Sequence, residues 1–142
     1  MSDETLQFVD TNVLLYAYDR SAGARHARAA ELIGELGQSR RGALSVQVLQ
    51  EFYVNATRKI AEPLAPEIAL ERLRMLSRWR AHVPTPEDVV AAANSSQLHE
   101  LSFWDSMILQ SATALGCEVM WSEDLTDGRQ FGRVTVRNPF TT

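Results

Sequence analysis

The sequence of 142 residues has few of the side chains that bind soft metals or form disulfides, with one cysteine and three histidines. Cys117 has no second cysteine with which to form an internal disulfide. The histidines, His26, His82 and His99, lie far apart along the chain. This pattern excludes a disulfide framework and the Cys/His sites that bind structural zinc.

Long apolar runs are also missing from the sequence. No apolar stretch approaches the roughly 20 residues that are needed to cross a bilayer. The N-terminal segment Met1–Thr5 is acidic and polar, which is not the pattern of a secretory signal. We therefore expect a cytoplasmic protein with no membrane span.

Sequence motifs of two common enzyme classes are absent as well. The chain has no GxxxxGK[ST] loop, which excludes an ATP-hydrolysing P-loop protein. No Ser/His/Asp or Cys/His arrangement is recognisable from the order of these residues. The sequence therefore gives no indication of nucleophilic serine or cysteine chemistry.

Lysine is nearly absent, because thirteen of the fourteen basic residues are arginine and Lys59 is the exception. The net charge of −4 argues weakly against a nucleic-acid-binding protein, but a net value hides how charge is distributed. Arginine is suited to bidentate phosphate contacts. For any single cluster, such as Arg40-Arg41, a solvated surface is the simplest interpretation.

The hydrophobic fraction of 45% and the charged fraction of 23% are typical of a globular domain, and we expect one domain over residues 1–142. Short apolar runs alternate with segments of helical periodicity, which predicts an α/β fold with a mostly parallel central sheet flanked by helices. The predicted strands are Leu6–Val9, Gly42–Ser45, His82–Val83, Glu118–Trp121 and Val134–Arg137. The predicted helices are Val13–Tyr18, Ala24–Gly37, Val46–Arg58, one beginning at Pro66, Pro86–Leu98 and Ser102–Leu115.

Four carboxylates lie at the ends of apolar segments or inside them: Asp10, Glu51, Asp105 and Asp124. Acidic side chains usually stay in water unless they are paired or bound to a cation. Ligands of open α/β sheets bind beyond the carboxyl ends of the strands, and Asp10 directly follows the first predicted strand. Four such acids on separate elements predict one shared site that a hard cation would hold together.

The first two acids also have ordinary structural interpretations. Asp10 is a good N-cap for the following helix, although the small polar residues Thr11 and Asn12 beside it favour a site. Glu51 has the spacing of a solvated helix face, but its apolar neighbours place it at the edge of the buried stripe.

The last two acids have alternatives of the same kind. Asp105 has capping-box spacing from Ser102, in which the acid would satisfy the first amides of a helix. Asp124 lies in a segment rich in turn residues. Glu123 competes with Asp124 for any functional role, and spacing alone does not separate them.

An acid cluster without cysteine or histidine favours Mg²⁺ or Mn²⁺, which take oxygen ligands. Such sites are typical of phosphoryl transfer and nucleases, in which two ions about 3.5–4 Å apart stabilise the attacking and leaving oxygens of an in-line displacement. The residue types therefore favour metal-assisted cleavage of a phosphate ester.

Together, four segments resemble a PIN domain of the VapC toxin type, in the order of that family and over nearly the whole chain. They are Phe8-Val9-Asp10-Thr11-Asn12-Val13-Leu14, Ser45 to Tyr53, Trp104-Asp105-Ser106-Met107-Ile108, and Ser122-Glu123-Asp124-Leu125 running on to Phe140. The first motif alone is only moderately specific. The four together are much more so, and Trp104 departs only slightly from the smaller aromatic that is common before the third acid.

The resemblance implies an endoribonuclease that depends on Mg²⁺ or Mn²⁺ and cleaves RNA with metal-activated water. By that analogy Asp10, Glu51, Asp105 and Asp124 form the catalytic quartet. Asp10 and Asp105 are the expected metal ligands, with Asp124 as another candidate, while Glu51 would bind a second ion, assist through water or orient the nucleophile. The expected supporting residues are Thr11, Asn12, Ser122 and Asp127.

The resemblance also implies partners. RNA is the expected substrate, and a small VapB-like antitoxin would cover the site. A homodimer is expected in the family, and the apolar residues Met75 and Trp79 would suit an interface, although core packing explains them equally well.

Two other functions compete with this interpretation. An aspartate-nucleophile phosphatase also begins with an acid after its first strand, but it needs a second acid two residues later, where this chain has Asn12. A degenerate PIN domain that only binds RNA or protein would not need to keep four costly acids.

Overall fold

A computed structural model describes residues 5–141, and the predicted features of Met1–Glu4 lie outside the described residues. The strands are β1 (Gln7–Val9), β2 (Gly42–Ser45), β3 (Arg80–His82), β4 (Val119–Trp121), β5 (Gln130–Phe131) and β6 (Val134–Arg137). The helices are α1 (Thr11–Tyr18), α2 (Ala24–Ser39), α3 (Val46–Arg58), α4 (Pro66–Leu76), α5 (Pro86–His99) and α6 (Phe103–Ala114). A single 3₁₀ turn, Arg20–Ala22, joins α1 to α2.

The six strands form one sheet in the order β3-β2-β1-β4-β6-β5. The pairs β3/β2, β2/β1, β1/β4 and β4/β6 are parallel, and only β5 runs antiparallel to its neighbour β6. This arrangement confirms the predicted α/β class and the mostly parallel sheet. None of the helices between residues 5 and 141 combines the length and apolar character that crossing a membrane requires.

The central strands are short and apolar because helices enclose them. Phe8 in β1, Leu44 in β2 and Met120 in β4 have no exposed surface. Such strands lack the polar alternation of a half-exposed sheet, as is usual for parallel strands that are covered on both faces. Phe52 of α3 and Val136 of β6 complete the same buried cluster.

Three predicted elements have a boundary that is wrong by two residues, and one of them is α1, which begins at Thr11 rather than Val13. Helix α2 does not stop at Gly37 but continues to Ser39, and Arg40 adopts the left-handed conformation (φ 62°) that ends it. Gly37 faces the Trp79 ring, whose nearest atoms would lie 3.9 Å from a Cβ at this position. The third strand is Arg80–His82 rather than His82–Val83.

The order of the sheet fixes where a ligand can bind. β1 lies between β2 and β4, so the chain leaves β1 for one side of the sheet and returns later on the other side. A crevice is expected at such a switch point, beyond the carboxyl ends of the two central strands. Asp10 directly follows β1, and Ser122 directly follows β4.

Candidate metal centre

Asp10 is both the N-cap of α1 and the most buried of the four acids. Its backbone is extended (φ −71°, ψ 156°), and Oδ1 accepts a hydrogen bond of 2.7 Å from the Thr11 amide. Oδ2 accepts a second one, of 2.9 Å, from the Ser122 hydroxyl. The side chain is 5% exposed, and a capping role alone does not require such deep burial. The cap and the candidate site are therefore the same residue.

The next two residues bind the acids of distant segments. The Thr11 hydroxyl donates to Glu51 Oε1 over 2.7 Å, and Asn12 Nδ2 donates to Asp124 Oδ2 over 2.6 Å. Together with the bond from Ser122 to Asp10, these contacts connect the end of β1 to α3 and to the segment after β4. Three consecutive residues thus bring three of the predicted acids to one end of the sheet.

Glu51 is not a solvated side chain, because both of its carboxylate oxygens are engaged. Oε1 accepts from Thr11, and Oε2 accepts a 3.0 Å hydrogen bond from Gln47 Nε2. The same Gln47 nitrogen lies 3.4 Å from the main-chain oxygen of Trp104. Gln47 therefore joins α3 to the start of α6. It was not among the predicted site residues, although its i,i+4 spacing from Glu51 could have indicated it.

Asp105 lies in the first turn of α6, where Ser102 is the N-cap. The Ser102 hydroxyl accepts a 3.1 Å hydrogen bond from the Asp105 amide, so half of the predicted capping box forms. Within residues 5–141 the reciprocal bond to the Asp105 carboxylate does not form, in contrast to the complete capping box of Thr85 and Asp88. The Asp105 carboxylate is therefore the least committed of the four.

Asp124 owes its position to the buried Ser122. The Ser122 hydroxyl oxygen accepts from the amides of Asp124 (3.2 Å) and Leu125 (3.4 Å) while its hydrogen is donated to Asp10. This turn directs the Asp124 carboxylate toward Asn12. Ser122 is completely buried, so one hydroxyl fixes two of the predicted acids at once.

Glu123 and Asp127 have other partners. Glu123 accepts a 2.9 Å hydrogen bond from the Tyr16 hydroxyl and binds the Arg25 guanidinium at 2.6 Å. Asp127 accepts from the Asn138 amide over 2.9 Å, which holds the loop after β4 against the end of β6. Both contacts explain these acids as structural residues, so the geometry favours Asp124 for a site.

Burial and mutual repulsion disturb the ionisation of the acids. Desolvation raises the pKa of Asp10 from 3.8 to about 7, although the hydrogen bonds from Ser122 and Thr11 oppose it and the charges of Asp124 and Asp105 reinforce it. The pKa of Asp124 is also raised, first by desolvation and then by the charges of Asp105 and Glu123. The charges of Asp105 and Asp124 thus act on Asp10, and the charge of Asp105 acts on Asp124.

The donor set fits a hard divalent cation in its chemistry. Carboxylate oxygens are the ligands that Mg²⁺ and Mn²⁺ prefer, and a cation would offset the repulsion that Asp124 and Asp105 add to the desolvation of Asp10. Between residues 5 and 141, however, no three Asp, Glu, His or Cys side chains are grouped closely enough to hold an ion as they stand. Like charges separate when no cation holds them, so binding would require the carboxylates to rotate toward a common point.

The structure also brings together a serine, a histidine and an aspartate that the sequence did not reveal as a group. His82 Nδ1 lies 2.8 Å from the Ser111 hydroxyl, and Nε2 lies 3.3 Å from Asp88 Oδ2. Ser111 is 1% exposed in the middle of α6, so its oxygen cannot reach a substrate. This chain of contacts fastens β3 and α5 to α6 and does not support serine hydrolase chemistry.

Comparison with known proteins gives a consistent result. A family model of the PIN domain matches residues 8–132. Among curated proteins, no sequence matches. Among solved structures, a toxin–antitoxin complex from Klebsiella pneumoniae is similar with a TM-score of 0.69 and 20% identity, over 96% of this chain and 99% of that chain.

Two further structures have the same fold. The Sarcin-Ricin loop cleaving toxin VapC20 of Mycobacterium tuberculosis has a TM-score of 0.65 and 19% identity, over 83% of this chain and 89% of that chain. The DNA-bound VapBC of Salmonella typhimurium has a TM-score of 0.66 and 17% identity, over 95% of this chain and 98% of that chain. At these identities the likeness is one of fold.

Proposed function

The chain belongs to the PIN domain family, and we propose on that premise that it is an endoribonuclease dependent on Mg²⁺ or Mn²⁺. We further propose that it is the toxin of a VapBC-type toxin–antitoxin pair and acts in the cytoplasm. The observation that carries the proposal is the set of contacts made by Asp10, Thr11 and Asn12, which bring acids from distant segments to the switch point of the sheet.

In this proposal Asp10 and Asp105 hold the cation. Asp10 is fixed by two hydrogen bonds and orients one end of the site, whereas the uncommitted Asp105 carboxylate is free to turn toward an ion. Once bound, the cation supplies Lewis-acid activation of water and neutralises charge on the phosphate. Asp124 and Glu51, which are held by Asn12 and Thr11, complete the ligand set or orient water.

The contacts count against an aspartate-nucleophile phosphatase. The Asn12 amide donates to Asp124 and so occupies the place where that chemistry needs a second acid. That chemistry would also use a lysine, and Lys59 is the single lysine of the chain. It follows the last residue of α3, which begins at the carboxyl end of β2 and has 13 residues. A helix of that length spans about 20 Å, so Lys59 lies at the far end from Asp10.

The proposal is tested first by metal binding, measured by calorimetry with Mg²⁺ and Mn²⁺. We expect wild type to bind and Asp10→Asn or Asp105→Asn to bind much more weakly. Glu35→Gln is the matched control, because it removes one negative charge from an exposed position of α2. Equal binding by wild type and Asp10→Asn would refute the metal site.

Cleavage of structured RNA is the second test. Hydrolysis assisted by metal needs no 2′-hydroxyl nucleophile, so the expected products carry a 3′-hydroxyl and a 5′-phosphate. Asp10→Asn should reduce the rate by more than the roughly 10–100-fold that outer-shell partners of a metal cost. If a folded Asp10→Asn variant cleaved RNA as fast as wild type, Asp10 would have no part in the mechanism and the proposed carboxylate chemistry would be refuted.

The partners of the chain are part of the same proposal. The neighbours in fold include toxin–antitoxin complexes, which supports a small VapB-like antitoxin as partner. A homodimer is also proposed, with Met75, which is 51% exposed, as one candidate contact. Trp79 packs against the core and Gly42, so this residue is explained without a dimer. Light scattering that shows only monomer at micromolar concentration would rule the dimer out.

A further inference from the structure

Trp104 is a large aromatic side chain that the fold leaves in solvent. It is 62% exposed, although it belongs to a helix whose next five residues are largely buried. A single exposed apolar residue is common and needs no explanation by itself. What distinguishes Trp104 is its position, because it directly precedes the candidate metal ligand Asp105.

The main chain of Trp104 borders the acidic site, while its ring contacts a neighbouring aromatic ring. The Phe103 ring packs against it edge to face, with 5.0 Å between centroids and an interplanar angle of 74°. The Trp104 carbonyl accepts from Gln47, which also binds Glu51. Successive helix residues diverge by roughly 100°, so the Trp104 indole and the Asp105 carboxylate leave the first turn of α6 from adjacent positions but in different directions.

We propose that Trp104 positions the substrate by stacking on an unpaired RNA base next to the phosphate that is cleaved. The inference rests on the proposed nuclease function. Four carboxylates at one edge of the sheet repel an RNA backbone, and stacking supplies attraction that does not depend on charge. Unpaired bases of RNA are commonly recognised by stacking on exposed aromatic rings.

Binding of a short, single-stranded, fluorescein-labelled RNA tests the proposal, in an Asp10→Asn background that prevents cleavage. Trp104→Ala should weaken binding by about 10-fold, within the range known for loss of one stacked base. Trp104→Phe should restore most of the affinity because it keeps an aromatic face. Leu98→Ala is the control, since Leu98 is an apolar residue that is 73% exposed at the end of α5. This variant should bind RNA as the parent does.

The dependence on salt separates stacking from a phosphate contact. The affinity ratio of Trp104→Ala to its parent should be the same at about 50 and 300 mM KCl, because only ionic contacts weaken steeply with salt. Intrinsic fluorescence should be quenched by RNA in the parent and much less in Trp104→Phe. In the active protein, Trp104→Ala should raise KM more than it lowers kcat.

Failure of this inference and failure of the nuclease proposal would look different. Unchanged affinity in Trp104→Ala, with RNA cleavage intact, would overturn stacking and leave the nuclease. If Trp104→Ala weakened RNA binding but the wild-type protein did not cleave RNA, stacking would be supported and the nuclease proposal refuted. A Trp104→Ala variant that binds RNA normally but changes its oligomeric state would assign the ring to a protein interface and overturn the proposal.

Discussion

The substitution Asp10→Asn should make the metal-free protein more stable at pH 8. Asp10 is buried, and its pKa rises from 3.8 to about 7, so its ionised form is less favourable in the folded chain than in the unfolded chain. Asparagine is as good an N-cap as aspartate and can still accept from the Thr11 amide. The substitution therefore removes an unfavourable charge and keeps the start of α1.

The expected gain in folding stability can be worked out from the pKa of Asp10 and its hydrogen bonds. A rise in pKa from 3.8 to about 7 corresponds to a loss of at most about 4 kcal/mol of folding free energy, at about 1.4 kcal/mol for each tenfold change in proton affinity. Asparagine leaves the hydrogen of the Ser122 hydroxyl without its acceptor, which costs about 1–2 kcal/mol. The net gain is about 2 kcal/mol, or roughly 6 °C in Tm for a domain of this size.

The sign of the effect fixes its dependence on pH. An acid whose folded pKa is raised contributes no penalty below its unfolded pKa, and the penalty grows until the pH passes the folded value. The stability of Asp10→Asn relative to wild type should therefore increase between about pH 4 and pH 7 and stay constant above that. At pH 4 the variant should be equal to wild type or less stable.

Urea denaturation in EDTA at several pH values measures this difference. Asp10→Ala is the matched control, because it removes the same charge but also the cap and should be less stable than Asp10→Asn by about 1 kcal/mol. Saturating Mg²⁺ should stabilise wild type and not Asp10→Asn, by about 2.7 kcal/mol at a hundred times Kd. A difference between wild type and Asp10→Asn that does not change with pH would refute the reasoning.

Three further predictions concern separate parts of the molecule. Gly42→Ala should lower the free energy of unfolding by about 1–3 kcal/mol in urea denaturation, because its Cβ would lie 2.5 Å from the ring of Trp79. Gly34→Ala is the control, because its Cβ would have nothing within 4 Å, and it should gain up to about 1 kcal/mol from helix propensity. Equal effects of the two substitutions would contradict the packing. Burial raises the pKa of Cys117 to about 12, so a thiol reagent at pH 8 should label only the unfolded protein, and rapid labelling of folded protein would disprove this. Asp124→Asn should impair Mg²⁺ binding and Glu123→Gln should not, and the reverse pattern would exchange their roles.

Much of the fold could be predicted because its signals are local. The predicted bounds of α3, Val46–Arg58, agree with the structure, and Pro66 begins α4 as expected. Thr85 and Asp88 form the predicted capping motif. In each case a residue's own conformational preference, or a partner within one turn of helix, decides the structure, so the information is present in a short window of sequence.

The errors arise where distant residues decide the structure. Gly37 is a plausible helix end by itself, but it lies against the Trp79 ring of a distant segment and the helix continues past it to Ser39. The two-residue strand Gln130–Phe131 was missed for a different reason, since its partners Val134 and Thr135 are near in sequence but the strand is too short to show a periodic pattern.

In the candidate site, too, local features could be predicted from the sequence and contacts between distant residues could not. The four acids could be identified from their settings in the sequence, but their partners could not. Asn12 and Asp124 are 112 positions apart, and Thr11 and Glu51 are 40 apart. No periodicity links residues over such distances, so the contacts that bring the acids together are visible only once the sheet order is known.

The choice between Glu123 and Asp124 illustrates why contacts decide function where residue type does not. Both are acids beside the buried Ser122, and the sequence alone treats them alike. The structure gives Glu123 a cation, Arg25, and a hydroxyl donor, so its charge is already balanced. Within residues 5–141 the Asp124 carboxylate accepts a hydrogen bond only from the neutral amide of Asn12, and its pKa is raised by desolvation and then by the charges of Asp105 and Glu123. The acid whose charge is unbalanced has the most to gain from a cation, and this physical difference is the reason for assigning Asp124 to the site.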